Sequence, residues 1–167
     1  PLFPLSAVLL PGGRLPLQIF EPRYVDMIRR CMREGTGFGV VLIRSGSEVH
    51  GGADSAQPDV APVGTRAEIV DFNQLDNGLL GIVAMGRERI RVRQTDERPD
   101  HLLMGAVERV EEPAPEPLPT EHAGLAELLS ELLAHPAVNA GGVGVDWDDG
   151  ASVAWRLAEL LPVEPGV

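Results

Sequence analysis

The stretch VGTRAEIVDFNQLDNGLLGIVAMGRERIRVRQT, residues 63–95, carries the clearest structural signal in the chain. Val63–Asp71 reads as a strand, and Asp76-Asn77-Gly78 is a typical hairpin turn that leads into the apolar segment Leu79–Met85. Glu88–Thr95 then alternates between apolar residues and arginines, as a strand with one buried face does. We therefore expect three strands here, the first two joined as a hairpin.

The residues before this region predict further strands and one helix. Leu2–Leu5, Val8–Leu10 and Leu15–Phe20 are short apolar pieces separated by prolines and glycines. Because proline cannot donate a ladder hydrogen bond, we expect these pieces at sheet edges or bulges. A helix is predicted between Pro22, which suits a first helical position, and Gly35, a natural stop. Its predicted apolar face comprises Tyr24, Val25, Ile28, Cys31 and Met32.

The remaining signals complete an α+β chain. Phe38–Ile43 and Leu102–Val110 predict one strand each, and residues 45–62 predict a long surface loop. About seven strands and one helix are therefore followed by Glu112–Pro119, where proline at every second position favours stiff extended backbone. We expect a β domain over residues 1–111, a linker over 112–119, and a helical subdomain from residue 120 to at least residue 167.

Two amphipathic helices are predicted in the helical subdomain. The first is expected to be capped by Thr120 and stopped by Pro136, the second to be capped by Asp148 or Asp149 and ended by Pro162. Their predicted apolar faces comprise Leu125, Leu128, Leu129, Leu132 and Leu133 in the first, and Val153, Ala154, Leu157, Leu160 and Leu161 in the second.

Composition excludes several classes of function. All 14 basic residues are arginine, so lysine-dependent chemistry such as a Walker A loop, a Schiff base or a Ser–Lys dyad is absent from these residues. The net charge is −11, and residues 96–167 alone carry three arginines and 15 acidic residues. Because phosphate backbones and anionic membrane surfaces repel such a chain, we expect neither nucleic acid nor membrane as a partner.

The cellular compartment is predicted from the apolar runs, the first ten residues and the cysteine content. No apolar run approaches the roughly 20 residues that a membrane-spanning helix needs. The apolar residues 1–10 have no basic flank and no small-residue cleavage site, so they do not read as a signal peptide, and the missing initial Met leaves room for residues upstream. The single cysteine, Cys31, fits a reducing compartment. We expect a cytoplasmic protein.

Three blocks, in order along nearly the whole chain, resemble the amino-terminal domain of Lon-type proteases. The first comprises Leu2–Leu5, Leu9–Gly12 and Leu15–Tyr24, and its Phe20-Glu21-Pro22-Arg23-Tyr24 is typical of free-standing bacterial members. The second comprises Val63–Val70, Asp76–Gly78 and Gly86–Val92. The third, Trp155–Pro162, is similar to the final helix of the free-standing members.

The resemblance implies a fold and a role. The fold would be a PUA-like mixed β pseudo-barrel of about six strands with one packed helix, followed by a small helical subdomain. The role would be to hold polypeptide, because in the full proteases this domain helps to recognise substrates for the ATPase ring. Neither the ATPase nor the peptidase sequence occurs in these 167 residues, which departs from the full proteases.

No catalytic, metal or cofactor site is expected. His50, His101, His122 and His135 are scattered without the spacing of metal ligands. Cys31 falls on the apolar face of the predicted helix, where packing is a better explanation than nucleophilic chemistry. The serines include no Gly-x-Ser-x-Gly elbow, and no glycine-rich stretch lies between a strand and a following helix as a phosphate loop does.

Two groups of residues are candidates for binding. Leu10, Pro11, Leu15 and Pro16 surround the first turn, where prolines leave unpaired backbone that could accept an extended peptide by strand addition. The alternative is that these leucines simply face the barrel interior. Arg89, Arg91 and Arg93 form a row on one strand face that could contact an anion or a peptide carboxylate. The alternative for this row is a solvated face neutralised by the acidic carboxy-terminal part.

These observations leave three hypotheses for function. The first is a non-catalytic polypeptide-binding module, acting without ATP as an adaptor, a holdase or a regulatory subunit for unfolded or partner polypeptides. The second is an enzyme or small-ligand receptor that uses the cleft between barrel and helices, which a co-purifying metabolite would indicate. The third is an RNA-binding protein with a PUA-like barrel, against which the acidic charge and the 4% aromatic content argue. Composition does not determine the oligomeric state.

Overall fold

Six β-strands and three α-helices make up the computed structural model, which describes residues 1–46, 57–135, 138 and 144–160. The strands are β1 (Leu2–Leu5), β2 (Arg14–Ile19), β3 (Phe38–Ser45), β4 (Asp59–Gln74), β5 (Leu80–Glu97) and β6 (Leu103–Arg109). The helices are α1 (Pro22–Glu34), α2 (Ala123–Ala134), which follows a 3-10 turn at Thr120–His122, and α3 (Gly150–Leu160). The α+β class predicted from sequence is confirmed.

The hairpin of β4 and β5 is the centre of the sheet. Its turn closes with a hydrogen bond from the Leu75 amide to the Leu79 carbonyl (2.9 Å), and the Asn77 side chain accepts from the Leu79 amide (3.1 Å). Gly78 adopts a φ of +80°, a backbone conformation that glycine reaches without strain. The sequence located this turn correctly. The prediction of two separate strands after the turn was wrong, because β5 continues without interruption through Gly86.

The sheet closes into a mixed pseudo-barrel. Its strand order is β1-β3-β4-β5-β2, with β6 also paired to β5. The pair β1–β3 is parallel and the others are antiparallel. Because β5 is 18 residues long, its first half pairs with β2 and its second half pairs with β6. Leu2 of β1 reaches across to β6, where a Cβ on Gly105 would lie 2.7 Å from the Leu2 Cδ1 atom.

The positions of the prolines predicted the edge strands correctly. Strands β1 and β2 contain Pro4 and Pro16, and they lie at the two ends of the strand order, as a residue without an amide donor requires. The expected extended piece Val8–Leu10 forms no strand and belongs to the loop between β1 and β2. The structure therefore has six strands where the sequence predicted about seven.

Helix α1 covers the main core, as its sequence pattern predicts. Tyr24, Ile28 and Cys31 are buried, whereas Met32 is exposed and Met27 takes a place in the core that was not predicted. Arg23 forms an ion pair with Glu21 (2.9 Å) and donates to the carbonyl of His101 (2.7 Å), which ties the start of the helix to the loop before β6. A second, smaller core comprises Leu2, Val41, Ile90 and Leu103 inside the barrel.

Helices α2 and α3 enclose a third core around Leu129, Val153 and Leu157. The Asp149 side chain accepts from the Ala151 amide (3.1 Å), so its predicted capping role is confirmed, whereas the helix entry at Thr120 has no side-chain cap. The predicted faces were only partly right. Leu125, Leu128 and Ala154 are exposed, and the buried positions include Arg156 instead. Pro136, Leu161 and Pro162 lie outside the described residues. None of the described helices combines the length and the apolar character needed to cross a bilayer.

Candidate binding surfaces

The loop between β1 and β2, residues 6–13, is fixed to the sheet by hydrogen bonds. The buried hydroxyl of Thr65 donates to the carbonyl of Leu9 (2.6 Å). The Gly12 amide donates to the Gly86 carbonyl (2.9 Å), and the Gly86 amide donates to the Gly13 carbonyl (2.9 Å). The predicted residues Leu10 and Pro11 therefore lie in a well-anchored loop, and both are half-buried.

Helix α3 lies against this same loop. The guanidinium of Arg156 is buried and forms an ion pair with Glu159, and a Cβ on Gly12 would lie 3.6 Å from the Arg156 Nη2 atom. A Cβ on Gly13 would lie only 2.0 Å from a carboxylate oxygen of Glu159. Burial raises the pKa of Glu159 above its ordinary value, against the opposing effects of Arg156 and of a hydrogen bond with the Leu10 backbone. Leu10 and Pro11 thus lie where the barrel meets the helices.

Leu15 and Pro16 lie elsewhere, on the edge strand β2. Leu15 packs partly against the main core, which agrees with the interpretation that it faces the barrel, whereas Pro16 is exposed. The Gly86 amide donates to the Gly13 carbonyl, and in an antiparallel ladder every second residue bonds to the same partner strand. Residues 15 and 17 therefore bond to β5, whereas the backbone groups of residues 16 and 18 point away from it. In the described part of the chain no strand pairs with that outer edge. Leu10 and Pro11 therefore lie in the loop and Leu15 and Pro16 on β2, and their role in binding a peptide stays a prediction.

An apolar cavity of about 140 Å³ opens beside the loop. Val8 and Leu10 line it from the loop, and Leu42 and Val63 line it from strands β3 and β4. Arg89 also lines the cavity, so the structure brings together one residue from each predicted group. Val8 and Val63 are among the exposed large hydrophobic residues. The sequence did not reveal this cavity, because the loop of residues 6–13, the strands β3 and β4, and Arg89 meet only in the folded sheet.

The three predicted arginines, Arg89, Arg91 and Arg93, lie on β5 as an alternating row, but two of them have strong intramolecular partners. Arg89 forms a two-point ion pair with Glu112, with both N···O distances at 2.6 Å, and lies over the ring of Trp155 at 5.9 Å. Arg93 pairs with Glu108 at 2.7 Å. The hydrogen bond from Arg93 is the main cause of the lowered pKa of Glu108, and the positive charge of the exposed Arg91 lowers this pKa further.

These pairs agree with the interpretation of the row as a face neutralised by acidic residues of the carboxy-terminal part. The role of the row in contacting an anion or a peptide stays a prediction.

A second charge network spans β4 and β5 and was not predicted. Arg66 pairs with Glu88 (2.6 Å) and with Glu68 (2.8 Å), and Arg87 pairs with Glu68 (2.7 Å). Hydrogen bonds from Arg66 are the largest cause that lowers the pKa of both carboxylates. The network lies across neighbouring strands, so it could be found only once the register was known.

The described residues offer little for metal or nucleophilic chemistry. Nowhere among them do three His, Cys, Asp or Glu side chains come together as a metal site requires. His101 lies against Glu97, and His50 falls outside the described ranges. Cys31 is buried, as predicted, with its sulfur 3.5 Å from the Gly37 carbonyl.

Comparisons with known proteins agree on one family. Residues 1–164 match the ATP-dependent protease La (LON) substrate-binding domain. The solved structure of a Lon N-terminal domain protein from Xanthomonas campestris is 37% identical, with a TM-score of 0.79, and the match covers 99% of this chain and 84% of that one. The N-terminal domain of Mycobacterium avium complex Lon protease, at 16% identity and a TM-score of 0.54 over 96% of this chain and 72% of that one, shares the fold.

Two longer relatives also match over most of this chain. Protein cereblon from Danio rerio is 32% identical over 123 residues, which are 71% of this chain and 27% of cereblon. Lon protease from Parabacteroides distasonis is 26% identical over 133 residues, which are 79% of this chain and 16% of the protease. The chain therefore corresponds to about a quarter or less of the length of these relatives.

Proposed function

Because the chain belongs to the ATP-dependent protease La (LON) substrate-binding domain family, we propose that it is a non-catalytic module that binds polypeptide segments. The observation that carries this proposal is the apolar cavity beside the loop of residues 6–13, with Val8 and Val63 exposed at its walls. Its volume of about 140 Å³ suits one apolar side chain of a bound segment. Leu15 and Pro16 of β2, the other two predicted residues, would contact a bound segment through their side chains, because Pro16 has no amide for strand pairing.

The module would act without ATP in the cytoplasm of a bacterium, as an adaptor, a holdase or a regulatory subunit. Its ligands would be unfolded polypeptides or an unstructured segment of a partner. Neither nucleic acid nor a membrane is proposed as a partner, because the net charge is −11. This cavity gives the alternative of a small-ligand receptor little support, because ligand sites usually measure about 300–1,000 Å³ and the cavity has about 140 Å³.

The test is fluorescence anisotropy of a labelled, permanently unfolded polypeptide titrated with the purified protein. The same polypeptide in its folded form and a labelled RNA serve as parallel ligands, and a gel of the end point shows whether anything is cut. We expect binding of the unfolded polypeptide alone, without cleavage. If wild-type protein binds no polypeptide, or cleaves the bound chain, the proposed function is wrong.

A matched pair of substitutions tests the cavity. Val63→Asp introduces a charge into the cavity wall and is expected to weaken binding about tenfold, or about 1.4 kcal/mol. Val107→Asp is the control, because Val107 lies on β6 outside the cavity and is similarly exposed, at 44% against 36% for Val63. Equal affinities for the two variants would remove the cavity from the binding surface.

A further inference from the structure

Strand β4 has an open edge of its own, distinct from that of β2. The pairing of β3 with β4 covers Asp59 to Ala67, so residues 68–74 pair only with β5. Within the described part of the chain no strand covers their other edge. The amide of Phe72 is bonded to the carboxylate of the preceding Asp71 (2.9 Å), which is the local substitute expected for a donor that faces an open edge.

A groove runs along this edge, between β4 and the carboxy-terminal end of α1. It encloses about 420 Å³, and Cys31, Met32, Ile69, Val70 and Phe72 supply its apolar lining. Three of these side chains are large and exposed, namely Met32 at 42%, Val70 at 41% and Phe72 at 58%. Apolar side chains clustered on an open strand edge are typical of a surface that binds another polypeptide.

The two open edges differ as acceptors of an added strand. On β2, Pro16 lacks the amide that an incoming strand would need, and proline on an edge strand protects it from such pairing. Residues 68–74 of β4 contain no proline, so each residue has both backbone groups. The bulge between Ile69 and Asp71 bends the strand locally but removes no donor.

We propose that the β4 edge is a docking site for an extended polypeptide segment that carries a basic residue among apolar ones. This rests on the proposed polypeptide-binding function, adds a second site to the cavity and names the chemistry of its ligand. The incoming strand would pair with residues 68–74, and its carbonyl would replace the Asp71 carboxylate on the Phe72 amide. Its apolar side chains would enter the groove beside Met32 and Phe72.

Charge complementarity is the reason for expecting a basic residue in the bound segment. The two charged residues that line the groove, Glu68 and Asp71, are both acidic. Glu68 is already neutralised by Arg66 and Arg87, whereas Asp71 has no ion-pair partner in the described part of the chain. Once displaced from the Phe72 amide, the Asp71 carboxylate is free to pair with a lysine or arginine of the ligand. The net charge of −11 attracts the same kind of segment over longer distances.

The experiment uses the full chain and a labelled peptide of about eight residues, in which apolar residues alternate with polar ones and two of the polar residues are lysine. A second peptide carries glutamate in place of lysine. Anisotropy titrations compare wild type with Asp71→Lys and with the control Asp96→Lys. Asp96 is also exposed, but it lies at the far end of β5, so this variant has the same charge change away from the groove.

We expect the lysine peptide to bind wild type and the control alike, and to bind Asp71→Lys about tenfold more weakly. The glutamate peptide should bind wild type about tenfold more weakly than the lysine peptide. Hydrogen exchange on wild type provides a measurement that needs no variant. Bound lysine peptide should slow exchange of the amides of residues 68–74 about tenfold.

Three results would overturn the proposal. If the peptide and the unfolded polypeptide bind but Asp71→Lys and the exchange of residues 68–74 show no change, polypeptide binding stands and the β4 edge is not its site. If wild type binds no polypeptide at all, the proposed function fails together with the docking site. If sedimentation shows a dimer that Asp71→Lys dissociates and the peptide does not bind, the edge belongs to a second copy of the chain.

Discussion

Arg156 and Glu159 show what a single residue contributes to this structure. Arg156 is only 4% exposed, and its guanidinium lies between Glu159 and the backbone of the loop of residues 6–13. A buried cation beside a desolvated carboxylate is stable only as a pair, because either charge alone would lack compensation. The pair therefore fixes the place where α3 meets the barrel.

Replacing Arg156 should cost stability in a way that depends on pH. In Arg156→Met the half-buried Glu159 loses its cation and the buried guanidinium is lost, and we expect a loss of about 3 kcal/mol in the free energy of unfolding at neutral pH. The pKa of Glu159 is already raised by burial and would rise further without Arg156. A carboxyl with a raised pKa binds its proton more tightly in the folded state, so the variant should recover stability as pH falls towards the ordinary value of 4.5.

Urea unfolding of wild type and Arg156→Met at neutral and at mildly acidic pH would measure this dependence. The double variant Arg156→Met with Glu159→Gln is the control, since it has no titrating group at the position and should lose the pH-dependent difference. A destabilisation that is equal at both pH values would show that Arg156 contributes by packing alone.

At the scale of the elements, glycine explains the main error of the sequence-based prediction. The two predicted strands stop at Met85 and start again at Glu88, whereas Gly86 lies inside β5 opposite Ala67. A Cβ at this position would lie 2.2 Å from the Leu10 carbonyl oxygen and 3.2 Å from the Leu9 Cγ atom. Glycine is present here because the loop crosses the strand at close range, and the sequence alone does not distinguish this role from that of a breaker.

Gly86→Ala should therefore destabilise the protein, by about 1–3 kcal/mol if the loop has to move to accept the methyl group. Gly124→Ala is the matched control. Nothing lies within 4 Å of a Cβ on Gly124, which is in α2, so alanine should stabilise the helix by up to about 1 kcal/mol. The midpoints of urea unfolding measure both effects, and equal shifts in the same direction would contradict the close approach seen at Gly86.

Features that depend on residues next to them in sequence were predicted well, whereas features that depend on residues distant in sequence were not. Pro22, the turn at Asp76–Gly78 and the cap at Asp149 act through their own neighbours in sequence, and the structure confirms them. The open edge of β4 depends on where β3 begins, because Phe38, its first residue, pairs with Ala67. The candidate site was therefore predicted only in part, because cavity and groove are formed by residues brought together by the sheet.

At the scale of the whole molecule, the barrel and the helices are joined by several contacts. Arg89 of β5 binds Glu112, at the start of the proline-rich segment, and lies over Trp155 of α3. The Gly150 amide at the start of α3 donates to the carbonyl of Glu116 (2.8 Å). Closure of the barrel was predicted only through the resemblance to the Lon amino-terminal domain, because a single sequence does not determine the order of strands in a sheet. The docking of α3 on the loop was not foreseen.

These contacts predict that both parts unfold together, although the boundaries at residues 1–111, 112–119 and 120–167 were drawn as separate units. The two tryptophans, Trp147 and Trp155, both follow the proline-rich segment, so their fluorescence reports on the helical part and, through Trp155, on its contact with Arg89 of the barrel. Hydrogen exchange of the β4 and β5 amides reports on the barrel. Because the contacts of Arg89 and Arg156 must break before either part separates, we expect the two signals to give one urea midpoint at neutral pH.

Arg156→Met should separate the two transitions, with the fluorescence midpoint falling first. A barrel signal that persists after tryptophan fluorescence has changed in the wild type would instead support two independent units. In that case the loop with Leu10 and Pro11 would lose its contact with α3 whenever the helices detach.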